Sequence, residues 1–154
     1  MQNPNQHSNY TVFLLMLISS AIAMYITMYL NTYEMNHVYF SWTRMYMTLM
    51  GVSTMAIIMF LFMKKMYKDR GRNLLIILGS IIVFVASLFL VRAQKPIEDV
   101  KWMKAMIPHH SIAILTSKHA EISDPEVKKL ADEIIKAQEK EIKEMKKMIE
   151  RLTK

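Results

Sequence analysis

The sequence predicts an all-α protein in two parts: a membrane domain of three transmembrane helices over residues 1–93, then an antiparallel helical hairpin over 94–154. Three observations carry this. Charge is segregated: from Met1 to Met63 the only Asp, Glu, Lys or Arg residues are Glu34 and Arg44, whereas Arg92 to Lys154 holds 14 Lys/Arg and 11 Asp/Glu. Three apolar stretches approach the roughly 20 residues needed to cross a bilayer. The charged C-terminal part then repeats its apolar residues at the helical period, with a helix-start signal midway. No segment alternates with period two, so no strand is predicted.

The first apolar stretch covers about residues 11–30. It has no basic residues ahead of it, and a polar loop and a second span follow, so it is read as a retained span rather than a cleaved signal. The second span covers about 46–63 and the third about 74–91. Between them, Lys64, Lys65, Lys68, Asp69, Arg70 and Arg72 carry net +4, against one acid and one base between spans one and two. Basic short loops stay in the cytoplasm. The N-terminus is therefore expected in the cytoplasm, with loop 31–43 and everything after Arg92 across the membrane: a bacterial inner-membrane protein with a periplasmic hairpin. Tyr29, Tyr33, Tyr39 and Trp42 are expected to form an aromatic belt at the outer surface, and Tyr10 and Tyr67 at the inner one.

The formal charge of +7 is mostly that basic loop, so topology explains it and nucleic acid is not an expected partner. There is no cysteine, which excludes disulfides and thiolate metal sites. A soft metal outside the cytoplasm would have to be held by thioethers and imidazoles. Nothing resembles a catalytic constellation: no nucleophile with a positioned base, no phosphate-binding glycine loop, no isolated pair of carboxylates.

In the hairpin, Gln94-Lys95-Pro96 ends the third span and an amphipathic pattern runs to about Ile122. Ser123-Asp124-Pro125-Glu126 then restarts the chain, with Ser123 expected as N-cap, Pro125 in the first turn and Glu126 at the capping-box position. The second helix should reach about Leu152. Its apolar residues, among them Val127, Leu130, Ile134, Ile142, Met145, Met148 and Leu152, share one face, and the lysines take the other. Gln138 and Glu141 break this division, lying about 40° and 340° from Ile134, within the apolar face. A carboxylate there must be partnered, protonated or bound to a cation.

The first hairpin helix contains "MKAMIPHHSIAI", Met103 to Ile114. Trp102, Met106, Ile107, Ala113 and Ile114 share an arc with Met103, and His110 falls inside it at about 340°. His109 is at its edge, His119 points away, and Ala105, Ile112 and Leu115 suggest a second contact surface. Met103, Met106 and His110 thus repeat the i, i+3, i+7 spacing of Gln138, Glu141 and Met145, and antiparallel pairing brings the triads to similar heights. Two readings follow. Thioethers and imidazole can hold Cu(I) in preference to Zn(II) or Mg(II); alternatively, methionine fills the core and His110 is a core histidine donating to Glu141. Pro108 frees the carbonyl of Lys104 and bends the helix just before the histidines.

The combination M-x-x-M-I-P-H-H (Met103 to His110) and Q-x-x-E-I-x-x-M (Gln138 to Met145) resembles the ferritin-like family catalogued as domain of unknown function 305, over about Asp99 to Leu152. Its members include CopM-like periplasmic copper-binding proteins. The resemblance implies a metal site of Met103, Met106, His109, His110, Gln138, Glu141 and Met145, with copper, as Cu(I), the preferred ion. Family members often have two hairpins, whereas one follows three spans here, which resembles a membrane-anchored subgroup. Di-iron chemistry is not expected, because the hairpin has no Glu-x-x-His pair.

Met148 is a possible accessory ligand. Glu34 and His37 in the outer loop form the sole Glu-x-x-His, and with Met35 they are either an accessory site or part of a solvated loop. Methionine rows in the spans (Met24, Met28; Met55, Met59, Met63, Met66) serve either Cu(I) passage or packing. A lone hairpin exposes apolar surface, so two are expected to pair into a four-helix bundle. The predicted function is membrane-anchored Cu(I) sequestration or delivery, with self-association, the bilayer and other copper-handling proteins as partners. The alternatives are a metal-free assembly protein that docks through the hairpin, and a copper-transport component.

Overall fold

A computed structural model describes residues 4–154, with side-chain environments from Asn9 onward. Its elements are α1 (Pro4–Thr27), α2 (Trp42–Met63), α3 (Arg70–Ala93), α4 (Asp99–His119) and α5 (Pro125–Leu152), plus two short 3-10 turns at Met35–His37 and Lys64–Met66. No strand occurs among the described residues. The chain forms two compact units that interleave in sequence: Met1–Ile26 with Thr43–Lys95, and Thr27–Trp42 with Pro96–Lys154. The loop between the first two spans therefore belongs with the hairpin, not with the spans that flank it.

In the first unit, three segments are long and apolar enough to cross a membrane: Asn9–Thr27, Trp42–Met66 and Arg70–Ala93. Hydrocarbon offers no partner for backbone N–H and C=O groups, so such segments must be helical. Asp69 caps α3, its carboxylate accepting from the Arg72 N–H at 3.1 Å. The helix stops at Gln94, which is left-handed (φ 50°) and whose amide donates to the Val91 carbonyl at 2.6 Å. Near the basic connection, Phe13, Ala56, Phe60 and Tyr67 form a buried cluster. The Tyr67 ring lies 5.0 Å from Tyr10, 5.6 Å from Phe13 and 5.7 Å from Phe60, centroid to centroid.

Several methionines of this unit pack against other side chains, Met24, Met59 and Met63 among those expected in rows. Met16, Met59 and Met63 surround the aromatic cluster. Met24 lies against Gly51, where an added Cβ would come within 2.9 Å of its sulfur. The absent side chain at Gly51 is what lets α1 and α2 approach.

In the second unit, α4 and α5 pack along a core of Met103, Ile107, Ile114, Ile142, Met145 and Ile149. The α5 cap is Asp124, not Ser123: its carboxylate accepts from the N–H groups of Glu126 and Val127, both at 2.9 Å. Proline sits best at the first helical position, which moves the cap to the residue just before it, and a carboxylate there also meets the positive end of the helix dipole. Tyr33 and Tyr39 pack against the hairpin core, and the Tyr29 hydroxyl donates to the Tyr39 carbonyl at 2.8 Å.

The buried arc of α4 differs from the expected one. Met103, Ile107, Pro108, Ser111 and Ile114 are buried, while Trp102 is 50% exposed. The arc is rotated because the loop covers α4 at Ser111, on a side outside the arc that the helical period turned toward α5. On α5, Val127, Leu130, Met148 and Leu152 are likewise exposed.

Three substitutions test this core and cap. Ile107→Ala, at a side chain 0% exposed, is expected to cost about 2–5 kcal/mol. Asp124→Ala should cost about 1 kcal/mol and Ser123→Ala almost nothing. Denaturation of the full chain in detergent, followed by far-UV circular dichroism, ranks the three.

Candidate functional site

The side of α4 turned toward the loop is organised by one hydroxyl. Ser111 is 0% exposed; its Oγ accepts the Tyr33 N–H at 2.7 Å and lies 3.0 Å from Nδ1 of His37. The Ser111 hydroxyl can give its hydrogen to Nδ1 or, through its second lone pair, accept one from it, so the contact suits either neutral tautomer of His37. Nε2 lies 3.7 Å from a Glu34 oxygen. Burial, and secondarily the charge of Lys146, hold the His37 pKa below its ordinary 6.5, with Glu34 opposing. Around it, Lys146 donates to Asn36 at 2.8 Å, and Lys118 donates to Glu139 at 3.0 Å and to the Tyr33 hydroxyl at 3.2 Å. The bonds from Lys118 to Glu139 and then to Tyr33 raise its pKa.

This corrects the reading of loop 31–43. His37 is buried rather than solvated, and its Nδ1 is engaged by Ser111. Met35, by contrast, stands 86% exposed. Nothing in the sequence pairs Ser111 with a loop 78 residues away. The available hint was a serine amid apolar residues on a helix already expected to have a second contact surface.

The opposite flank of α4 carries the expected site. His110 is held at both ring nitrogens: Nδ1 lies 3.0 Å from the Met106 carbonyl, and Nε2 lies 2.7 Å from Oε2 of Glu141. The Gln138 amide donates to the same oxygen at 3.5 Å. The His110 side chain is 12% exposed and that of Glu141 49%. The carboxylate on the apolar face is thus partnered and open to water on one side, which removes the cost of burying it. Met103 and Met145 sit in the hydrophobic core with Met106 packed against it. His109 is exposed, its ring 6.3 Å from that of His110, and Met148 is exposed on α5.

His110, Glu141 and Gln138 are therefore brought into direct contact, and Met103, Met106 and Met145 share the adjoining core. Among the described residues no group of three or more His, Cys, Asp or Glu is suited to a metal ion. A metal here would rest on one imidazole, one carboxylate and thioethers. The geometry has a definite bias. With the Nδ1 hydrogen given to a carbonyl, the Nε2 lone pair faces a carboxylate oxygen, an arrangement that is attractive only with a proton or a cation between them.

Comparisons with known proteins add the following. The family model described as "Domain of unknown function (DUF305)" matches residues 89–153. A protein of Acanthamoeba polyphaga mimivirus, described as "Uncharacterized protein L153", is 35% identical over 140 residues, covering 89% of this chain and 90% of its own length. No solved structure matches the chain.

The His37 environment sets a pH dependence. The unfolded chain takes up a proton near 6.5 and the folded chain only at lower pH. Between those values the unfolded state binds more protons, so stability is complete above the window and declines as pH falls through it. Thermal midpoints of the native chain should drop below pH 6.5, and His37→Asn should flatten that drop; identical profiles would contradict the assignment.

Proposed function

The chain belongs to the DUF305 family, and on that footing we propose that it is a membrane-anchored protein whose hairpin binds Cu(I) and sequesters it or hands it on. The carrying observation is the His110 ring, with Nδ1 on the Met106 carbonyl and Nε2 aimed at Glu141. Metal-binding histidines characteristically donate their other ring N–H to a carbonyl or carboxylate, which fixes the tautomer and aims the lone pair. Thioethers nearby favour a soft ion, and Cu(I) is the soft ion that a site without cysteine accommodates best. In this reading Cu(I) at Nε2 takes the place of the proton shared with Glu141, with Met106 and then Met103 and Met145 as thioether donors. His109 and Met148 lie on the exposed side, where a second copy or a delivery partner approaches.

The second copy is part of the proposal. Trp102 on α4 and Leu130, Ile134, Met148 and Leu152 on α5 leave an apolar strip exposed beside the His110–Glu141 pair. Two strips facing each other form a four-helix bundle and enclose the pair. In this reading the basic connection 64–72 lies at the cytoplasmic end of the spans, as its net positive charge favours, and the hairpin lies across the membrane, periplasmic in a bacterium. The same strip favours one competing reading, a metal-free docking hairpin in which the 2.7 Å His110–Glu141 hydrogen bond is purely structural.

Cu(I) competition against a chromogenic chelator, on the purified full chain, separates these readings. His110→Ala and Met106→Ala are each expected to weaken binding by at least about tenfold, and affinity should fall with pH because the proton and Cu(I) compete for Nε2. Binding unchanged in both variants leaves the docking reading. Separately, Leu130→Glu is expected to shift the sedimenting species from dimer to monomer; a monomeric native chain would remove the bundle.

A further inference from the structure

The first unit contains a cleft of about 420 Å³ between α1, α2 and α3, within the range of roughly 300–1,000 Å³ typical of ligand pockets. Its floor is Phe13, Ser53 and Ala56, all buried, and its rim includes Leu14, Leu75 and Val83, all exposed. The Ser53 hydroxyl donates within its own helix, to the Met50 carbonyl at 2.9 Å, so the floor presents no polar demand. One end differs. There Arg72 and Tyr10 line the cleft, the guanidinium 5.3 Å from the tyrosine ring centroid and its Nε 3.4 Å from Asp69. Lys64, Lys65, Lys68 and Arg70 belong to the same connection and leave it strongly positive.

Dimensions narrow the occupant. From Arg72 to Val83 the cleft follows α3 for eleven residues, about 16 Å of helix. One leaflet of a bilayer's hydrocarbon core is about 15 Å deep. The cleft thus runs about the depth of one leaflet, the reach of a lipid acyl chain, with its charged end at Arg72. Gly79 lines the middle, where an added Cβ would meet nothing within 4 Å. Its lack of a side chain leaves volume open rather than avoiding a clash.

We propose that this cleft is a binding site for one anionic phospholipid, with an acyl chain along Gly79 toward Val83 and the phosphate headgroup at Arg72 and the adjoining basic residues. Basic pockets between spans select anionic headgroups by charge, and an apolar slot of leaflet depth admits the chain. The site stands on the spans alone and is independent of the hairpin's metal chemistry.

Native mass spectrometry of the full chain in detergent, titrated with phosphatidylglycerol or with phosphatidylcholine of the same acyl chains, tests it. The native chain should retain phosphatidylglycerol preferentially, and Arg72→Gln should lower that preference roughly fivefold with phosphatidylcholine retention unchanged. Gly79→Leu, which fills the slot, should abolish retention of both lipids, and Leu75→Trp at the exposed rim should weaken both, with unchanged circular dichroism. Equal retention of the two lipids by the native chain overturns the proposal. So does full retention in Gly79→Leu and Leu75→Trp, the mark of lipid bound elsewhere, or disulfide cross-linking of two copies through Val83→Cys, the mark of a second copy at the cleft.

Discussion

A helix in a two-helix hairpin can bury only one side against its partner, and α4 has groups needing cover on more than one. That constraint shapes the second unit. The side bearing Ile107 and Ile114 faces α5, and the side bearing Pro108 and Ser111 is closed by the loop from Thr27 to Trp42. A buried hydroxyl without partners would cost on the order of 1–3 kcal/mol; Ser111 avoids this by accepting from Tyr33 and meeting His37. The loop in turn obtains a fixed place, with Tyr33 and Tyr39 against the hairpin core. What remains of α4 is the strip with Trp102, Met106 and His110, beside the part of α5 that α4 does not reach.

The same constraint explains what could be read from the chain beforehand. Segregated charge and apolar length pick out three segments long and apolar enough to cross a membrane, because hydrocarbon imposes its requirement on every residue of a span at once. Helical period places His110 and Glu141 on facing surfaces, and their 2.7 Å contact follows from two local periodicities joined by a short turn. The loop's position was not legible. It depends on a contact between residues 78 apart, Tyr33 and Ser111, and neither carries a periodic signal. The cover of α4 was rotated for that reason, and Trp102, apolar and in phase with Met103 and Met106, lies exposed. The cap at Asp124 was missed at a smaller scale: both Ser123 and Asp124 can cap, and the fixed φ of Pro125 decides between them.

The two readings of His110 concern the same atoms. A carboxylate opposite Nε2 is satisfied by a proton, which makes the pair a structural hydrogen bond, or by a metal cation, which makes it a site. Their relative weight depends on pH and on free Cu(I), since one displaces the other. The Met106 carbonyl serves either state, because it holds Nδ1 and so directs Nε2 in both. The half-exposed Glu141 also allows entry: a ligand pair sealed in the core would have no path for an ion.

Among the apolar surfaces left uncovered in a single chain, the hairpin strip and the cleft between spans differ in their surroundings, and so in their consequences. In lipid an apolar groove is not driven shut, because the tails around it are as apolar as its walls, so occupancy is decided by shape and by the charge at Arg72. In water the strip is a cost. Burying Trp102, Leu130, Ile134, Met148 and Leu152 on each of two copies, at roughly 1 kcal/mol per half-exposed side chain, amounts to about 10 kcal/mol. Free association costs an estimated 4–15 kcal/mol in lost motion, so in solution the proposed pairing would be marginal. Confinement to one membrane removes part of that cost, because copies already share a plane and an orientation and meet at a raised effective concentration. The spans would therefore act on the proposed Cu(I) site through assembly, by making the pairing that encloses His110 and Glu141 affordable at low abundance.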